Sequence, residues 1–120
     1  MITEDFVSFE VAKLLEEKRF NEYSGGCYDG LMQFHERKCC NSDLHPNIEV
    51  AAPTLQMAMK WLREVHKIHI TVYPYGEYSC DNYQFDIYKN RKYWLSKDEG
   101  YMTNEQAIEV AIKYCLENLI

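Results

Sequence analysis

The chain has 120 residues and a mass of 14.3 kDa, the length of one domain. With 47% hydrophobic and 27% charged residues, 5 Gly and 3 Pro, it is neither disordered, collagen-like nor of low complexity. Thirteen bases against 19 acids give a net charge of −6, which denies nucleic acid the basic stripe it usually needs.

No apolar run reaches the roughly 18 residues of a membrane span, and Met1-Ile2-Thr3-Glu4-Asp5 is acidic where a secretory leader is basic and then apolar. Five cysteines, Cys27, Cys39, Cys40, Cys80 and Cys115, are an odd number. Together these features point to reduced thiols and a cytoplasmic chain without membrane contact.

In chain order, the spacing predicts a first helix over 4–18, with Thr3 as N-cap, Glu4 and Asp5 at the positive dipole end, and Val7, Val11, Leu14 and Leu15 inward. Phe9 falls off that stripe, toward a second contact. Ser24-Gly25-Gly26 reads as a turn, Cys27 to Phe34 as a strand or irregular hairpin arm, Glu36 to Asn47 as a polar loop, and Ile48 to Ala52 as a short strand.

A second helix is expected over 53–66, with Pro53 in the first turn, Thr54 as cap and Leu55, Ala58, Met59, Leu62 and Val65 as core. Met57 and Trp61 widen that stripe, predicting cover on two sides. Alternation then predicts strands over 68–75 and 83–88, separated by a loop over 76–82, and a turn near Lys89-Asn90 returns a third strand over 91–95. Thr103-Asn104-Glu105-Gln106 opens a capping box for a helix over 103–119. The expected fold is a single α+β domain over 1–120, two layers deep, with an antiparallel sheet of at least three strands packed by the three helices.

The run Ala52-Pro53-Thr54-Leu55-Gln56-Met57-Ala58-Met59-Lys60-Trp61-Leu62-Arg63-Glu64-Val65-His66-Lys67-Ile68-His69-Ile70 resembles small uncharacterised proteins of gut Bacteroides genomes and their phages. The openings and closings around Asp5–Leu15 and Ala111–Leu119 are similar to the same group. The resemblance implies a bacterial or phage setting and brings no site residues with it.

Candidate chemistry is sparse. His35, Cys39, Cys40, Asp43 and His45 are metal-ligand types within eleven residues, yet adjacent cysteines depart from the spacing of structural zinc sites. A thiol nucleophile among Cys39, Cys40 and Cys80 would need His66 or His69 as base, and no motif joins them. Asp81, Asp86, Asp98 and Glu99 are carboxylates at turns or on polar strand sides, and no phosphate loop or nucleophile elbow is present. A non-enzyme without cofactor or metal is therefore expected.

Seven of the ten tyrosines lie between Tyr73 and Tyr101. If Ile68, Ile70, Val72, Tyr83, Phe85 and Ile87 face the helices, Tyr73, Tyr75 and Tyr88 project from the other side, with Trp94 joining by register. Such rings either pave a solvated sheet face or form a partner surface, with a homodimer as the simplest version. The leading expectation is thus a small interaction domain using Tyr73, Tyr75, Tyr88 and Trp94. The alternatives are a metal- or ligand-binding module through His35–His45 and a nucleic-acid-associated regulator using Lys60, Arg63, Lys67, Lys89, Arg91 and Lys92. The order of strands and last helix resembles double-stranded-RNA-binding domains, but the acidic start of the final helix opposes that use, and no nucleic-acid partner is expected.

Overall fold

The computed structural model describes residues 2–45, 48–75 and 82–120, with backbone alone for 94–99. Residues 76–81, most of the loop expected over 76–82, lie outside the described residues, Cys80 and Asp81 among them, as do the side chains of Trp94, Asp98 and Glu99. The protein is α+β, with three helices and two antiparallel sheets among the described residues. It divides into two compact units, residues 1–58 and 59–120.

In the first unit, α1 (Phe9–Glu17) starts later than the sequence suggests. Thr3 is not its cap. Ser8 has extended backbone and its hydroxyl accepts from the Val11 amide, the bond that ends a helix at its N-terminus. The preceding residues are held by other main chain. Phe6 bridges Thr54 in antiparallel fashion, the Val7 amide donates to the Pro53 carbonyl (3.0 Å), and the Leu55 amide donates to the Asp5 carbonyl (2.9 Å).

The segment read as turn and loop is instead a sheet. Strands β1 (Ser24–Tyr28), β2 (Phe34–Cys39) and β3 (Val50–Ala52) pair in the order β2-β1-β3. A single turn of 3-10 helix, Asn41–Asp43, follows β2. Ser24-Gly25-Gly26 lies inside β1, and Gly26 has a specific reason to be glycine: a Cβ there would overlap the Phe34 ring. Glu36 to Cys39 belongs to β2, an edge strand whose first five residues are exposed. Charge on such an edge discourages further strand pairing.

One face of this sheet carries an aromatic cluster. Phe6 lies 4.7 Å from Phe34 between ring centroids, Tyr28 lies 5.5 Å from Phe34, and Phe9 meets Tyr28 edge-on at 5.7 Å. Phe9 does therefore serve a second contact. The Tyr28 hydroxyl donates to the Val7 carbonyl at 2.7 Å. The opposite face holds a buried cluster of Cys27, Cys39, Leu44 and Ala51.

Helix α2 (Leu55–His66) continues from the first unit into the second. Thr54 caps it, its Oγ1 accepting from the Met57 amide, so Pro53 lies before the cap and not in the first turn. Leu55, Ala58, Trp61 and Leu62 are buried, but Met57 and Val65 are 38% and 55% exposed. The helix is covered on one side, not two. At the last turn His66 takes the inward place expected of Val65, and its ring meets Trp61 edge-on.

In the second unit, β4 (Ile68–Pro74), β5 (Tyr83–Lys89) and β6 (Lys92–Tyr101) form an antiparallel sheet in that order. Bulges between Tyr83 and Phe85 and between Ile87 and Tyr88 adjust the β5–β6 register. The turn between β5 and β6 is Asn90-Arg91, both with positive φ, as a two-residue type I′ hairpin turn requires. Helix α3 (Asn104–Asn118) packs on this sheet. Thr103 caps it by accepting from the Gln106 amide, and Gln106 Oε1 reaches back to the Met102 amide, one residue before its capping-box target. Ile68, Phe85 and Ile87 are fully buried beside Ala107, Ile108, Ala111, Ile112, Cys115 and Leu116 of α3.

Candidate functional site

The pairing of β4 with β5 sorts their side chains into two sets. Ile70 is opposite Ile87 and Val72 opposite Phe85, while His69 is opposite Tyr88, Thr71 opposite Asp86 and Tyr73 opposite Gln84. Lys89 shares the first face and its ammonium donates to the Leu119 carbonyl at 2.6 Å, at the C-terminal end of α3, so the first face is the one under the helix. The second face carries His69 and Thr71, both exposed, and Tyr73, Asp86 and Tyr88, all half-buried.

The rings on this second face touch across strands. Tyr88 is paired with Tyr93 of β6 and meets it edge-on at 5.5 Å between centroids. Tyr93 is 56% exposed, and Tyr75, just past the end of β4, is 57% exposed. The Tyr73 hydroxyl lies 3.3 Å from Gln84 Oε1 and 3.5 Å from Asp86 Oδ1, donating toward both acceptors. Gln84 is nevertheless buried, which the simple inward–outward alternation misses. Tyr83, expected under the helices with Phe85 and Ile87, is only half-buried, and Tyr101 stacks on Phe85 near it. Tyr93 was missed as a face residue because the register of β6 depends on a bulge that composition does not reveal.

The ligand-type residues of 35–45 are dispersed among different partners. His35 Nε2 is 2.7 Å from Asp29 Oδ2, the Cys39 thiol donates to the Gly26 carbonyl, and the Cys40 thiol contacts Ser42 Oγ and Asp43 Oδ2. Burial pushes the Cys39 thiol up, away from the thiolate a metal would need. Among the described residues no three His, Cys, Asp or Glu side chains gather as metal ligands.

Asp29 is the part that sequence reasoning overlooked. One carboxylate oxygen accepts from the Leu31 and Gln33 amides (2.8 and 3.0 Å) and the other meets His35, so the turn between β1 and β2 is built on this side chain. The His35 contact is the main cause of a carboxyl held below its ordinary range, with the two amides adding to it. The Asp29-Gly30 pair was the available signal, since Asp bonding to amides two residues on is a standard turn device. Cys27 is opposite His35 in the β1–β2 register, and its thiol is buried.

The basic residues of 60–67 and 89–92 do converge in part. Arg63, Lys67, His69 and Arg91 line one cleft, whereas Lys89 is bound to the end of α3.

Comparison with known proteins gives no relative: the chain matches no family model, no curated protein and no solved structure. No described helix is long and apolar enough to cross a membrane.

Proposed function

We propose that this chain is a small non-enzymatic interaction domain of the cytoplasm, in a bacterial or phage setting, that meets a second copy of itself through the tyrosine-bearing face of its β4-β5-β6 sheet. The observation that carries this reading is the set of tyrosines on the face opposite α3, the cross-strand pair Tyr88 and Tyr93 with Tyr73 farther along the same face, Tyr93 being more than half exposed. Tyrosine combines apolar contact area with a hydroxyl, the composition of interface hot spots.

Two features favour a second copy as partner. The face holds donors and acceptors together, Tyr hydroxyls and His69 beside Asp86, so a two-fold contact supplies complements to both. Charge also favours it: residues 1–58 hold five bases and ten acids, whereas residues 59–120 hold eight bases and nine acids. Two copies meet with least repulsion through the second unit.

Three strands about 4.8 Å apart and seven residues long at about 3.4 Å each cover about 350 Å² per copy. That is well below the roughly 800 Å² per partner of a standard interface, so the dimer is weak and forms in the micromolar range or above. Sedimentation equilibrium of the full chain is expected to show a monomer–dimer exchange that Tyr73→Ser/Tyr88→Ser abolishes. Because Tyr73 also satisfies buried Gln84, Tyr93→Ser serves as a second variant, with an exposed ring and no hydrogen bond to lose among the described residues. A wild-type chain that stays monomeric at about 500 µM, far above the weak-dimer regime, overturns the reading.

A further inference from the structure

The end of the second unit where α2 passes into β4 and β5 turns into β6 holds an open cleft of about 530 Å³, lined by Arg63, Glu64, Lys67, His69, Asn90 and Arg91. The volume is that of a small-molecule site. Three of these residues are strained: Lys67, Asn90 and Arg91 have φ of 60°, 53° and 65°. Glycine adopts such angles freely, and Asn-Gly is the ordinary pair for this hairpin turn. Arg91 occupies the position where glycine would remove the strain, and non-glycine residues in this region concentrate at functional sites. The Asn90 amide donates to the Lys67 carbonyl at 3.0 Å, tying the strained points into one rigid rim.

The cations here are not absorbed by structural partners. Among the described residues, no carboxylate lies within ion-pair distance of Arg63, Lys67 or Arg91. Lys67 gives one ammonium proton to the Glu64 carbonyl and keeps two. Glu64 is the single acid on the rim among the described residues. Just behind the rim, burial and then the charge of Lys89 hold His66 below the ordinary histidine range, in line with a positive potential at this end of the unit.

We propose that this cleft binds the phosphate group of a small organic phosphate, with Arg63, Lys67 and Arg91 balancing its charge and His69 and Asn90 donating hydrogen bonds. A guanidinium fork matches two phosphate oxygens, and two arginines with one lysine suit a group carrying close to two negative charges. The concave and local arrangement favours this over a nucleic-acid backbone, which tracks along an extended basic groove.

Titration of the full chain with phenyl phosphate, a monoester carrying close to two negative charges, followed by backbone amide NMR shifts, tests the site. Saturable binding is expected, with shifts centred on residues 63–69 and 89–92 and weakened by added salt. Arg63→Gln is expected to weaken it about tenfold, the loss of one charge-assisted contact. Arg91→Gly is expected to weaken it similarly with a thermal midpoint no lower than wild type, which separates a lost ligand from a lost fold. Tyr93→Ser is expected to bind as wild type does, so the result stands apart from self-association. Absent binding, binding indifferent to Arg63→Gln and Arg91→Gly, or shifts centred elsewhere overturns the proposal. A single-stranded oligothymidylate bound much more tightly than phenyl phosphate at equal phosphate concentration assigns the cleft to nucleic acid and also overturns it.

Discussion

At His66 the ring is half-buried and Nε2 has neither solvent nor a hydrogen-bond partner among the described residues. Burial first, and the Lys89 charge second, make protonation harder in the folded chain than in the unfolded one, where the value is about 6.5. Stability from this residue is therefore whole above about pH 6.5 and falls as pH drops through the lower folded value. Urea unfolding at about pH 7.5 and about pH 5.5 is expected to show a loss across the interval that His66→Gln reduces. Equal losses in both proteins would remove His66 as the cause. Asp29 acts in a separate, more acid window: its carboxyl is lowered by His35, so its contribution is present above the ordinary carboxylate value and lost below it. Cys115, fully buried in α3, has its thiol pushed up to about 12 by burial, which makes it a core side chain and not a reactive one.

For the helices, the capping residue decides where each begins. Thr3 and Ser8 are both competent caps by residue type, and only Ser8 bonds to an α1 amide. Ser8→Ala is expected to cost about 1 kcal/mol in chemical denaturation, and Thr3→Ala close to nothing. Equal costs would place the helix start at the earlier residue. Segments with strong apolar periods, 53–66, 68–75, 83–88 and 103–119, were legible because tertiary packing follows their pattern. Strands β1 and β2 were not legible. Ser24-Gly25-Gly26-Cys27-Tyr28 has no alternation to read, and Phe34–Cys39 is a charged edge held by register with β1 more than by burial. Val65 illustrates the same limit inside a helix: its spacing placed it in the core stripe, yet it is 55% exposed and His66 fills the inward place at the last turn.

Across the whole chain, five of the six net negative charges fall in residues 1–58, which is why a net charge of −6 hides a cleft of three cations in residues 59–120. The bases themselves were visible in the sequence. Their convergence was not, because it depends on the two-residue hairpin and on left-handed backbone at Lys67, Asn90 and Arg91. The tyrosine face was legible from period-two spacing, except where the bulges of β5 and β6 reset it.

The seam joining residues 5–7 to residues 53–55 consists of carbonyls and amides. Replacing the exposed Asp5 side chain leaves every one of its bonds in place, whereas deleting a residue within 5–7 moves each donor past its acceptor. A saturation library there is expected to remain protease-resistant for substitutions at Asp5 and to lose that resistance for single deletions. Evolution at this strip is thus free to change the letter at Asp5, where no packed side chain is lost, but nowhere along it free to change the count.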